Sequence, residues 1–115
     1  MAVTIYHNPR CSKSRATLAL LEERGIEPRI VRYLDSPPSA GELARIVGLL
    51  GLAPRDLLRR GEAEYRELGL ADATLSDEAL TRVMVEHPKL IQRPIVVSGK
   101  RAAIGRPPEA VLEIL

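Results

Sequence analysis

A mixed α/β sheet, built from a β-α-β unit and a β-β-α unit with a helical insertion between them, is the fold class predicted here, and three stretches carry the prediction. Ala2-Val3-Thr4-Ile5-Tyr6 alternates and is β-prone, and helix-compatible sequence follows Cys11 as far as Gly25. Arg29-Ile30-Val31-Arg32-Tyr33-Leu34 reads as a second strand, and a helix between two strands implies a right-handed crossover with parallel pairing. Late in the chain, Arg93-Pro94-Ile95-Val96-Val97 and Arg101-Ala102-Ala103-Ile104 flank Ser98-Gly99-Lys100, the pattern of a β-hairpin whose turn the glycine supplies.

Each element has its own local signal. Gly25 suits the left-handed position just past a helix end. After the second strand, Asp35-Ser36-Pro37-Pro38 breaks the chain, and Ser39-Ala40-Gly41-Glu42 reads as a capping box. The helix it opens carries Leu43, Ile46, Val47 and Leu50 on one face, and Gly51 stops it. Pro54 opens a short helix predicted to run through Leu57-Leu58-Arg59-Arg60 to Gly61, and another passes through Glu64-Tyr65-Arg66-Glu67-Leu68 to Gly69. Ser76 is an N-cap flanked by the staple pair Leu75 and Leu80, with Val83 and Met84 continuing the apolar face until Pro88. Pro107-Pro108 opens a terminal helix carrying Val111, Leu112 and Leu115. This order of elements is a thioredoxin-like layout, in which the proline leading the hairpin, Pro94, is a candidate cis proline.

Composition excludes several classes of function. The 115 residues, 45% of them apolar, fit one domain over 1–115 with a core that needs no staple. Three Tyr with neither Phe nor Trp leave the core to Leu, Ile, Val and Ala, and give single-stranded nucleic acid no stacking platform. A formal charge of +2, with acidic residues interspersed among basic ones, argues against a nucleic-acid partner. One cysteine cannot form an internal disulfide, and neither a leader-like apolar stretch nor a membrane-length apolar run is present. The expected compartment is the cytoplasm, without membrane contact.

Chemistry concentrates at Cys11, where an apolar strand gives way to a helix. Unpaired backbone N–H groups and the positive end of the helix dipole favour a thiolate there, and the same corner attracts anions. The alternative is a small buried cysteine that only packs. Cys11 to Ser14 has the spacing of a redox dithiol with the second sulfur replaced, so any disulfide intermediate must be resolved by an external thiol such as glutathione. Arg59, Arg93 and Arg106 stand at loop or boundary positions, where guanidinium groups can hold tetrahedral oxyanions; most surface arginines are simply solvated. His7, four residues before Cys11, either supports the thiolate or makes a purely structural hydrogen bond. His87 reads as a helix C-terminal residue, and one Cys with two distant His makes no metal cluster. A phosphatase-type anion loop needs Arg six positions after Cys; here that position is Thr17.

Five motifs in order, Ile5-Tyr6-His7-Asn8-Pro9-Arg10-Cys11-Ser12-Lys13-Ser14-Arg15, Tyr33-Leu34-Asp35-Ser36-Pro37-Pro38-Ser39, Leu57-Leu58-Arg59-Arg60, Arg93-Pro94-Ile95-Val96-Val97 and Ile104-Gly105-Arg106-Pro107-Pro108-Glu109, resemble the glutaredoxin-dependent arsenate reductase family. The chain is most similar to a compact branch of it, since it stops directly after the terminal helix. The resemblance implies a thioredoxin-fold enzyme reducing arsenate to arsenite, with no bound cofactor, glutathione as co-substrate and glutaredoxin as partner. It implies that Cys11 is the nucleophile, that Arg59, Arg93 and Arg106 bind the anion, that His7 supports the thiolate and that Ser14 contributes a hydrogen bond to the sulfur. Two other readings share the layout. Spx-type regulators that contact RNA polymerase commonly carry Cys-x-x-Cys and lack the arginine set, and a monothiol glutaredoxin-like enzyme would act on glutathionylated proteins.

Overall fold

The computed structural model describes residues Ala2–Leu115, so the first residue of the expected 1–115 domain lies outside them. The chain forms two compact units, one from the chain up to Ser36 together with Arg93–Leu115, the other from Pro37–Gln92.

The first unit holds the sheet. Its strands are β1 (Val3–Tyr6), β2 (Arg29–Val31), β3 (Ile95–Ser98) and β4 (Arg101–Ile104), in the order β2-β1-β3-β4. β1 pairs with β2 in parallel, with Ile5 opposite Ile30, and with β3 antiparallel, with Ile5 opposite Val96. β3 and β4 form the antiparallel hairpin, turned at Gly99 with φ 61°. Helix α1 (Ser12–Glu23) crosses from β1 to β2 and ends at Gly25, whose φ of 73° is the left-handed conformation expected of it. Ile5, Leu21, Val96, Val111 and Ile114 make the buried core, so α1, the sheet and the C-terminal segment share one apolar cluster. This is the thioredoxin-like mixed sheet that the order of motifs predicts.

Two expectations for this unit change. β2 stops at Val31 rather than Leu34, because β1 offers no partner beyond Tyr6: His7 N–H closes the ladder on the Val31 carbonyl at 2.8 Å, and Asp35 and Ser36 then turn back onto the Arg32 carbonyl. The terminal segment Pro108–Ile114 winds as a 3-10 helix rather than an α-helix. Its buried residues are Val111 and Ile114, three apart, which a three-residue turn stacks on one side, whereas Leu115 is exposed. Both Arg93–Pro94 and Arg106–Pro107 peptides are cis, the first as anticipated for Pro94, the second not anticipated.

The second unit is helical: α2 (Ala40–Leu50), α3 (Pro54–Leu57), α4 (Ala63–Glu67), α5 (Asp77–Glu86) and a 3-10 turn at Pro88–Leu90. Ser39 Oγ accepts from Glu42 N–H at 3.1 Å and Ser76 Oγ from Ala79 N–H at 3.1 Å, so both expected N-caps form. Leu43, Ile46 and Val47 of α2 and Leu80 and Met84 of α5 are buried, and the two helices pack together. The helix predicted through Arg60 ends at Leu57 instead. Leu58 bridges Ile91, Gln92 N–H donates to the Leu57 carbonyl at 2.9 Å and Arg59 N–H to the Leu90 carbonyl at 2.7 Å. Those extended pairings take the backbone groups a continued helix would need.

Candidate active site

The turn that carries β1 into α1 is built by local hydrogen bonds. Asn8 Oδ1 accepts from Arg10 N–H at 3.0 Å, Cys11 N–H donates to the Asn8 carbonyl at 3.0 Å, and Arg15 Nη1 donates to the Pro9 carbonyl at 2.9 Å. Cys11 is thereby the N-cap of α1, extended at φ −93°, ψ 123°. Its side chain occupies the place from which a capping serine or aspartate accepts the N–H groups of the second and third helical residues, here Lys13 and Ser14.

That placement governs the thiol. Partial burial pushes its pKa up; against this act the Ser14 backbone N–H, a hydrogen bond from the Arg93 side chain, the Lys13 backbone N–H and the Arg93 charge, and the balance holds Cys11 below its ordinary value. Arg106 supplies a second guanidinium. Its Nε donates to the Arg93 carbonyl at 2.7 Å and its Nη2 lies 3.8 Å from Cys11 Sγ. Anchoring at Nε fixes the plane of the guanidinium, and its other N–H groups can serve an anion beside the sulfur. Sequence positions 11, 93 and 106 are thus brought together within one unit.

His7 and Ser14 lie behind the sulfur rather than on it. His7 Nδ1 and Ser14 Oγ are hydrogen-bonded at 2.7 Å, and Asn8 N–H donates to the same hydroxyl at 3.0 Å. All three residues are buried. The hydroxyl of Ser14 is therefore engaged with the turn, and what it offers the sulfur is its backbone N–H. Burial, then the charges of Arg32 and Arg15, lower the His7 pKa and favour the neutral ring. Its reach to Cys11 passes through the Ser14 side chain and the first turn of α1.

Arg59 belongs to the helical unit. There it is partly buried, with Nη1 3.6 Å from Glu62 Oε1, while its neighbour Arg60 is exposed. Among the described residues no group of three or more His, Cys, Asp or Glu side chains is arranged to hold a metal ion. Asn8 escaped the sequence reading, although an Asn-Pro dipeptide after a strand is a turn signal. The second cis peptide, Arg106–Pro107, lies past the hairpin and lacks the cue that singled out Pro94, its place leading the hairpin.

Comparison with known proteins adds family context to this geometry. Residues 6–114 match the model of the ArsC family. An uncharacterised protein of Escherichia coli K12, YfgD, is 56% identical over 114 residues, covering 98% of this chain and 96% of that protein. An arsenate reductase of Neisseria meningitidis serogroup A is 50% identical over 114 residues, covering 98% and 97%. A solved arsenate reductase from Vibrio cholerae superposes with a TM-score of 0.98 at 58% identity, covering 100% of this chain and 98% of the other.

Proposed function

The chain belongs to the ArsC family, and from that membership we propose that it is an arsenate reductase in which Cys11 attacks arsenate held by arginine side chains. The observation that carries the reading is the meeting of a thiol of lowered pKa with the Arg93 and Arg106 guanidinium groups at the N-terminus of α1. A nucleophile and an anion cradle on the same few atoms suit attack on an oxyanion, where proximity and fixed positive charge both act on the reacting centre.

The steps balance as follows. Cys11 Sγ attacks arsenic(V); an S–As bond forms, an As–O bond breaks and the oxygen leaves as water after taking up a proton. The thiol of glutathione displaces a second oxygen in the same way. A glutaredoxin thiolate then attacks the glutathione sulfur, forming an S–S bond, and the pair from the broken S–As bond stays on arsenic, which becomes arsenic(III). Hydrolysis of the Cys11–arsenic bond releases arsenite and restores the thiol. Arg93 and Arg106 neutralise the oxyanion during attack, and the α1 N–H groups stabilise the sulfur whenever it carries charge. Arg59 shares in anion binding on the family match alone, and Arg59→Ala tests that share through the arsenate KM.

The external thiol follows from the single cysteine, since the chain holds no second thiol to resolve an intermediate. With glutathione, glutaredoxin, glutathione reductase and NADPH present, the protein is expected to consume NADPH only when arsenate is added. Omitting glutathione or glutaredoxin, or substituting Cys11→Ser, should stop consumption. An inert wild-type protein in the complete mixture would refute the reading.

A further inference from the structure

At the exit of β4 the backbone passes through a space that a side chain would fill. Gly105 is buried, its N–H donates to the Pro94 carbonyl at 2.9 Å, and its φ is not positive, so conformation alone does not demand glycine. Packing does. A Cβ built on Gly105 would overlap Thr17 Oγ1, lie 2.7 Å from Pro94 Cγ and lie 3.2 Å from Thr17 Cγ2. At Gly25, Gly41, Gly48, Gly51, Gly61 and Gly69 the same position is open. Thr17 is not free to step aside: it is fully buried in α1, and its hydroxyl donates to the Lys13 carbonyl at 2.8 Å. Lys13 is in the first turn of that helix, beside the sulfur. The residue after Gly105 is Arg106, tied to the Arg93 carbonyl and reaching Cys11 Sγ at 3.8 Å.

We propose that Gly105 is a positioning residue: the missing side chain lets the β4 exit close against Thr17 and Pro94, and that close approach carries the Arg106 guanidinium to the Cys11 sulfur. This role rests on the oxyanion function proposed above. Any larger residue has to move the β4 exit away from α1, and Arg106 moves with it. Misplacement of a positioning group by about 1 Å can cost on the order of a hundredfold in rate.

The test compares two alkylating reagents of similar size, anionic iodoacetate and neutral iodoacetamide. The ratio of their rates at Cys11 reports positive charge at the sulfur and needs no arsenate. A general loosening of the fold changes both rates together and leaves the ratio in place. In Gly105→Ala the ratio is expected to fall toward that of Arg106→Ala, and the arsenate KM to rise about ten- to hundredfold with a smaller change in kcat. Adding Thr17→Ala opens the helix side but leaves the Pro94 overlap, so the double variant should lie between Thr17→Ala and Gly105→Ala. A folded Gly105→Ala protein with the wild-type ratio and KM overturns the role. If Gly105→Ala does not fold, equality of the double variant with Thr17→Ala overturns it instead. A wild-type protein inert toward arsenate whose ratio still depends on Gly105 refutes the enzymatic reading and keeps the positioning role. A Gly105→Ala protein that reduces arsenate with the wild-type KM and the wild-type alkylation ratio does the reverse.

Discussion

The sulfur of Cys11 owes its reactivity to position more than to any one neighbour. Burial works against ionisation, and two backbone N–H groups together with Arg93 outweigh it, so alkylation by iodoacetamide should show a midpoint below that of an ordinary cysteine. In Arg93→Ala that midpoint should move upward; an unchanged midpoint would remove Arg93 from the thiolate's surroundings. Ser14→Ala tests the layer behind the sulfur. It deletes the oxygen that meets both His7 Nδ1 and Asn8 N–H in a buried place, which should cost about 1–3 kcal/mol in denaturant unfolding. His7 brings a pH dependence. Unfolded, a histidine with its ordinary pKa of 6.5 takes up a proton as pH falls, whereas folded His7, lowered by burial and by Arg32 and Arg15, takes it up only at lower pH. The unfolded state then binds more protons, so Tm should fall as pH drops below about 6.5, and His7→Asn should flatten part of that slope. The identity of these residues was legible in the sequence, but their roles only partly. A helix-start cysteine announces N–H donors, yet nothing in the spacing of His7, Cys11 and Ser14 tells that the serine hydroxyl turns away from the sulfur toward the histidine.

The secondary-structure elements were legible where local chemistry sets them and illegible where pairing does. Caps at Ser39 and Ser76, stops at Gly25, Gly51 and Gly69, and the Gly99 hairpin all depend on residues within a few positions, and all form. Ser39→Ala is expected to cost about 1 kcal/mol in thermal or denaturant unfolding, the usual price of an N-cap. Leu57-Leu58-Arg59-Arg60 is different. Its composition suits a helix, and only the backbone of Leu90-Ile91-Gln92, more than thirty residues on, draws Leu58 and Arg59 into an extended pairing. β2 likewise ends where its partner strand ends, not where its own apolar residues do. The terminal segment shows the third kind of miss: an apolar face at Val111, Leu112 and Leu115 fits an α-helix, and the core instead takes Val111 and Ile114 on a tighter winding.

At the scale of the whole molecule, one cysteine in 115 residues and a core mainly of aliphatic side chains, with Tyr33 and Met84 buried beside the Leu, Ile and Val expected, define what the protein can do. Leu21 joins α1 to Ile5, Val96, Val111 and Ile114 in the sheet unit, and Leu21→Ala should cost about 2–5 kcal/mol in stability, measured by denaturant unfolding. With a single thiol, treatment with glutathione disulfide should add one glutathione to the protein, on Cys11, and glutaredoxin should remove it. In the proposed function, arsenate chemistry at that sulfur is reached through anion binding beside it. Protection of Cys11 against iodoacetamide by increasing arsenate, followed by intact mass, puts that step to the test. Protection that saturates with arsenate and weakens in Arg106→Ala and Arg93→Ala is the expected result; an alkylation rate independent of arsenate would contradict it.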